Sequence, residues 1–345
     1  MTTELAQGRA RRAGWIAGLA AALAGVAIVT VAIQARGRDA DAVAGPVLPG
    51  FAERVRDAAR ITVATAEARY EIQRTQKGWA LKDRGNFPVR REVLAQFTDG
   101  LRSLAYVRPM TRDPDRHDRL GLGDPAQGGS GVLVQVEDSQ GARLADLIIG
   151  QEAGGALFLR KPGEDQTWQV RGEMPPLRDV ARWLDLAPLA LDAARIAGAE
   201  VQPPTGPAYA VARANESASF ALAAPYDALP VLSPGDVADA ALMLSQLTPV
   251  DVRPAAAVPG PPRARSRLRT FDGLLIEAEM FEEPGGRYWI KLIARAEQPA
   301  MEAEAAGVNA RVGPWAYGVS EAQFQDAAPP LSVLAGRPES APQKQ

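Results

Sequence analysis

Val-Arg-Pro closes a stretch of helical spacing twice in this chain, at residues 107–109 and again at 252–254. Three residues recur by chance, but here their surroundings recur with them. "ARITVATA" (59–66) is echoed by "ARIAGAEV" (194–201), and "KGWALKD" (77–83) has "ASFALAA" (218–224) in the corresponding place. Val93, Leu94, Phe97, Leu101 and Leu104 form an apolar helical stripe before the first Val-Arg-Pro. Val237, Ala241, Leu244 and Leu247 or Thr248 form one before the second. Pro88 and Ser233-Pro234 offer helix starts, with the prolines 146 residues apart, and the closing prolines 109 and 254 are 145 apart. Order, type and spacing repeat together, so the chain reads as a tandem duplication of one module.

Each copy adds strands on both sides of its helix. "ARYEIQRTQKGWALKD" alternates across a turn at Gln76-Lys77-Gly78. "GVLVQVEDSQGARLADLIIG" turns at Ser139-Gln140-Gly141, and "GALFLRKPGEDQTWQV" turns at Pro162-Gly163. In the second copy "LLIEAEMFEEPGGRYWIKLIA" turns at Pro284-Gly285-Gly286. Short turns between strands imply antiparallel pairing, which makes the class α+β. The first module is expected over residues 50–190 and the second over 191–328, with a disordered tail at 329–345.

Ahead of the modules, Trp15–Ile33 holds no charge, and as a helix it spans roughly 28 Å, close to the thickness of a bilayer core. A signal peptide has a shorter apolar core and a cleavage site close behind it, whereas the small-residue site Ala42-Val43-Ala44 lies well past this one. The segment reads as an uncleaved transmembrane helix over 15–34, followed by a linker at 35–49 rich in proline, charge and small residues. Arg9, Arg11 and Arg12 precede it, so residues 1–14 are expected in the cytoplasm and the bulk of the chain in the periplasm.

The chain lacks cysteine and has a single histidine, His117, which removes disulfides, thiolate chemistry and histidine-rich metal sites. A net charge of −2 supplies no global field for nucleic acid. "DPDRHDRLGLGD" (113–124) begins like a calcium loop, but Asp118 stands where the turn needs glycine and Asp124 where a bidentate glutamate belongs. It is expected to be a solvated loop with His117 at the surface. "GLGDPA" (121–126) lacks the strand before and helix after that a dinucleotide fingerprint requires. Glu277 and Glu279 share a strand face, expected to pair across strands with Lys291 and Arg295 rather than do acid–base work. Arg263, Arg265, Arg267 and Arg269 fall on one side of an extended chain: a solvated strand face, or a stripe for lipid phosphates or an acidic protein partner. Trp79, Trp168, Trp183, Trp289 and Trp315, spread through the repeats, read as core residues. No catalytic, cofactor or metal residues are expected.

"LPGFAERVRDAARITV", Gly78-Trp79, "RLGLGDP", "LADLIIG" and "WLDLAPLALDAARI", in that order, resemble a bacterial domain-of-unknown-function family (four-three-four-zero) over residues 48 to about 200. The resemblance implies an N-terminal membrane helix, frequent encoding beside ABC-transporter components of the gliding type, and no catalytic residues. Function is therefore expected to be that of a non-enzymatic inner-membrane accessory or scaffold. The alternative is a periplasmic binding module for an envelope polymer or small ligand.

Overall fold

The computed structural model describes residues 45–150 and 157–336. The expected membrane helix at 15–34 and most of the linker lie outside these residues. Among the described residues no helix is long and apolar enough to cross a membrane.

A single helical turn, α1 (Phe51–Arg54), leads through a 3-10 turn into β1 (Ala58–Ala64). Then follow β2 (Arg69–Thr75), β3 (Gly78–Leu81), β4 (Phe87–Pro88), α2 (Arg91–Ser103), β5 (Ala105–Pro109), β6 (Val132–Asp138), β7 (Arg143–Ile149), β8 (Leu157–Arg160) and β9 (Trp168–Arg171). These strands form one sheet in the order β4-β3-β2-β1-β6-β7-β8-β9-β5. The second set is β10 (Ile196–Gln202), β11 (Tyr209–Ala212), β12 (Ala221–Leu222), α3 (Pro234–Leu242), β13 (Asp251–Pro254), β14 (Ala264–Thr270), β15 (Leu274–Glu283) and β16 (Arg287–Ala296). It ends with α4 (Glu302–Val312), β17 (Trp315–Val319), α5 (Glu321–Ala327) and α6 (Leu331–Leu334). Its sheet runs β12-β11-β10-β14-β15-β16-β17-β13. The ladders are antiparallel and the four expected hairpin turns are all present, so the class is α+β.

The two orders coincide strand for strand once β4 is set aside. Val-Arg-Pro ends the outermost strand of each sheet, and both closing prolines face a tryptophan: Pro109 opposite Trp168, Pro254 opposite Trp315. Proline has no N–H to donate, so it suits an edge strand. In each sheet the chain leaves its helix and lies down as the last strand, which is why the motif follows helical spacing.

By contacts the chain divides into two compact units: the described residues up to Glu71 with Glu92–Arg178, and Ile72–Arg91 with Asp179 onward. In the first unit α2 buries Val93, Phe97 and Leu101. Gly100 allows the helix to approach closely, since a Cβ there would lie 2.4 Å from the Glu173 carbonyl. In the second unit α4 packs on β16, and Asn309 clamps Ala294 through its N–H and carbonyl, each at 2.8 Å. That clamp covers the edge of β16 beyond Lys291, where pairing with β17 ends. The β3–β4 segment belongs to this unit: Arg84 Nε donates to Asp251 at 2.5 Å, and Phe87 meets Trp315 edge-on at 4.9 Å. Gly85, left-handed at φ 68°, sits where any Cβ would strike Pro254.

Several expectations fail for local reasons. Pro88 does not start a helix: it lies in β4, and Val89 and Arg90 stay extended by donating to the carbonyls of Trp79 and Trp183. Pro234 does lie in the first turn of α3, behind a Ser233 cap that accepts from the Asp236 N–H at 3.3 Å. Val47, assigned above to the linker, is core at 2% exposure, because the chain pairs with β5 at Pro46 and Ala105. Residues 329–336, assigned to a disordered tail, carry α6 with Leu331 and Leu334 buried; 337–345 lie outside the described residues. Trp79, Trp168 and Trp315 are only half-buried, whereas Trp183 and Trp289 are core.

Candidate interaction surface

The arginine stripe lies where alternation places it. Strand β14 alternates strictly between buried Ala264, Ser266, Leu268 and Thr270 and exposed arginines. Each arginine meets carboxylates: Arg263 with Glu282 at 3.5 Å, Arg265 with Glu279 at 3.4 Å, and Arg269 with Glu297 at 3.0 Å. Arg267 meets Glu277 at 3.2 Å and Glu200 at 3.7 Å. Arg295 takes the other oxygen of Glu277 at 2.8 Å. The stripe is therefore a lattice of exposed ion pairs, each contributing little to stability. Lys291 does not pair with Glu279, which stands directly opposite. Its ammonium donates to the Val258 carbonyl at 2.8 Å and lies 4.4 Å from the centre of the Phe281 ring.

One end of this face is denser. Val258, Phe281, Trp289 and Ala316 form a buried cluster. The Arg253 guanidinium lies 3.8 Å over the Trp289 ring and hydrogen-bonds Glu283, which also accepts from Trp289 Nε1 at 3.1 Å. The Arg253 hydrogen bond holds the Glu283 carboxyl below the usual carboxylate range, against an opposing desolvation. Arg195 makes a second cluster, donating to Asp272 at 2.7 and 2.9 Å and to Glu304 at 2.9 and 3.1 Å. Its counterpart in the repeated Ala-Arg-Ile, Arg60, likewise meets two carboxylates, Glu71 and Glu137, each at 3.1 Å. The recurrence of that tripeptide was the available signal for both.

The first unit holds the other candidate; residues 113–116, Asp118 and Arg119 are exposed, as a solvated segment requires, but His117 and the turn at 121–123 are buried. Residues 114–120 form a 3-10 helix, and His117 is buried at 6% exposure with Nε2 donating to the Asp165 carbonyl at 2.9 Å. The acidic residues serve the backbone. Asp113 and Asp124 cap the N–H groups of Asp115 and Ala126, and Asp118 accepts from the N–H and hydroxyl of Ser130 at 3.0 and 2.8 Å. The Ser130 N–H is the main reason the Asp118 carboxyl lies below its ordinary range. Glycines let the chain cross itself: a Cβ on Gly129 would stand 2.3 Å from the Gly123 carbonyl carbon, and one on Gly150 2.2 Å from the Leu120 oxygen. Arg160, buried, donates to the Leu122 carbonyl at 2.8 Å. Leu-Gly-Leu-Gly-Asp-Pro is thus a packed backbone knot.

The sequence model of one family, described as a domain of unknown function (DUF4340), matches residues 79–259, slightly more than half of the chain. The chain belongs to the DUF4340 family. The match starts at Trp79 and runs past the second Val-Arg-Pro, whereas the resemblance was expected from 48 to about 200. The glycine knot and both edge strands ending in Val-Arg-Pro lie inside the DUF4340 match. Comparison with curated proteins gave no match, and comparison with solved structures gave none.

Proposed function

We propose that this DUF4340 protein is a non-enzymatic, single-pass inner-membrane protein whose two modules, copies of one ancestor, lie in the periplasm as an accessory or scaffold of an ABC-type transport complex. The observation that carries the reading is the uncharged Trp15–Ile33 behind Arg9, Arg11 and Arg12, joined by a short linker to two sheets of one strand order. The transporter as partner comes from the family resemblance. Paired charges on an extended sheet face suit protein contact, where complementary charge sets register and partner choice more than affinity. A reporter active only in the periplasm, fused after residue 345, should be active; silence from a stably expressed fusion rejects the topology. Removing residues 1–34 while exporting the rest should abolish complementation of a deletion strain without unfolding the chain, because a tethered partner site loses its effective concentration. Full complementation by the untethered form removes the membrane from the mechanism. In-membrane crosslinking should join the protein to a transporter subunit, and adducts lacking one reject the partner.

A further inference from the structure

Two chain crossings are built alike and carry different side chains. Just before α2, Val89 bridges Leu184, and the Arg90 N–H donates to the Trp183 carbonyl at 2.7 Å. Just before α3, Val231 bridges Ala335, and the Leu232 N–H donates to the Leu334 carbonyl at 2.9 Å. Each returning segment follows Pro-Pro-Leu, at 175–177 and 329–331. The backbone therefore makes Leu232 the counterpart of Arg90. One residue before each accepting carbonyl, it makes Val333 the counterpart of Arg182.

At the first crossing Arg90 and Arg182 are exposed and Val89 is buried. At the second, Leu232 is 61% exposed, Val333 50% and Val231 41%. Three of the seven large apolar side chains exposed among the described residues thus meet at one crossing. Scattered singly they would be ordinary, but gathered together they mark a contact surface. The first crossing shows that the same backbone accepts arginine at both outward positions, so folding does not require leucine and valine there.

The surrounding charge selects the occupant. Residues 224–242 carry Asp227, Asp236 and Asp239, all exposed, and neither lysine nor arginine; residues 328–336 carry no charge. An anionic bilayer would be repelled by this rim. A second copy docked about a two-fold axis would bring the same carboxylates together. A basic protein surface with an apolar centre is complementary to both the patch and its rim.

We infer that the crossing of residues 230–232 with 333–336 is the docking surface for a protein partner whose contact presents aliphatic or aromatic side chains flanked by lysine or arginine. The inference rests on the accessory reading for the existence of a partner, and needs neither the transporter nor the periplasm.

Photocrosslinking in membranes tests it, with p-benzoylphenylalanine in the full chain at Leu232, Val333 or Val231, and at Arg90 or Arg182 as controls. The three patch positions should each yield one and the same protein adduct, several-fold above either control. The joined peptide should carry lysine or arginine beside apolar residues. Leu232→Arg combined with Val333→Arg copies the first crossing. It should leave the unfolding temperature within about 2 °C of wild type, as exposed substitutions do, yet abolish the adduct at Val231 and complementation of a deletion strain. Adducts to lipid alone or to a second copy alone, yields equal to the controls, or full complementation by the double variant overturn the inference. A general crosslinker that captures a partner through other residues, with no adduct from these probes, refutes this surface and leaves the accessory reading standing; if neither captures one, both fall.

Discussion

Replacing Trp289 by alanine tests the densest part of the second unit. The ring is 6% exposed, enclosed with Val258, Phe281 and Ala316, and close enough to Gly318 that a Cβ there would lie 3.2 Å from it. Burying a tryptophan removes about 150–250 Å² from water, which at about 25 cal/mol per Å² is roughly 4–6 kcal/mol. A compact unfolded chain already hides part of that area, so about 3–5 kcal/mol is the expected loss, as for other buried tryptophans. Trp289→Phe keeps most of the packing but loses the Nε1 hydrogen bond to Glu283 at 3.1 Å and weakens the stacking under Arg253 at 3.8 Å. It should cost about 1–2 kcal/mol. Equilibrium urea unfolding of the full chain in detergent, followed by circular dichroism, reads both. A double-mutant cycle of Trp289→Phe with Glu283→Gln should return a coupling of about 1 kcal/mol. A loss below about 1 kcal/mol for Trp289→Ala would falsify the packing argument, because no buried tryptophan with these neighbours can be removed so cheaply.

His117→Ala should destabilise the protein by about 1–3 kcal/mol in the same assay, because it removes a buried imidazole with its packing and its bond to the Asp165 carbonyl; a neutral result returns His117 to the surface. Gly150→Ala should cost about 2 kcal/mol or more, since its methyl would stand 2.2 Å from the Leu120 oxygen, and wild-type stability would show that the knot gives way freely. Because the folded Glu283 carboxyl lies below its ordinary value of 4.5, its stabilising effect is present above about that pH and lost as pH falls through the folded value. Glu283→Gln should therefore flatten the acid side of the stability profile, and an unchanged slope between about pH 5 and 3 contradicts the assignment.

What the sequence makes legible follows from locality. Turns at Pro162-Gly163 and Pro284-Gly285-Gly286 are set by residues within the turn, and the hairpins they specify are present. The stripe of α2 and the alternation of β14 are periodic, and both bury the expected faces. His117 reads as solvated because its neighbours are Asp and Arg, yet it is buried and donates to the Asp165 carbonyl, 48 residues away in the chain. Pro88 suits a helix start on its own chemistry, but β4 pairs it with Ala80 instead. Lys291 stands opposite Glu279 and still points to Val258, because a backbone carbonyl and an aromatic ring at the rim of the cluster offer it more than one exposed carboxylate. The alternation of Arg263 to Arg269 was readable, but not that Glu200, Glu282 and Glu297 would complete its pairs.

Val-Arg-Pro also marks what the two sheets share and where they differ. Its proline ends the last strand in both sheets opposite a tryptophan, a topological constraint, since the edge must close without an N–H offered to another strand. Its arginine has different surroundings in the two: Arg108 donates to Gln169 at 2.6 Å on an exposed edge, whereas Arg253 is pinned between Trp289 and Glu283. Its valine differs more. Val107 sits at a bulge between Tyr106 and Arg108 and is 50% exposed, while Val252 is fully buried in an unbroken ladder. Strand order and the closing proline are common to both sheets. The side chains around them form a core in one sheet and an exposed edge in the other, so a difference in role between the sheets is to be sought at those positions.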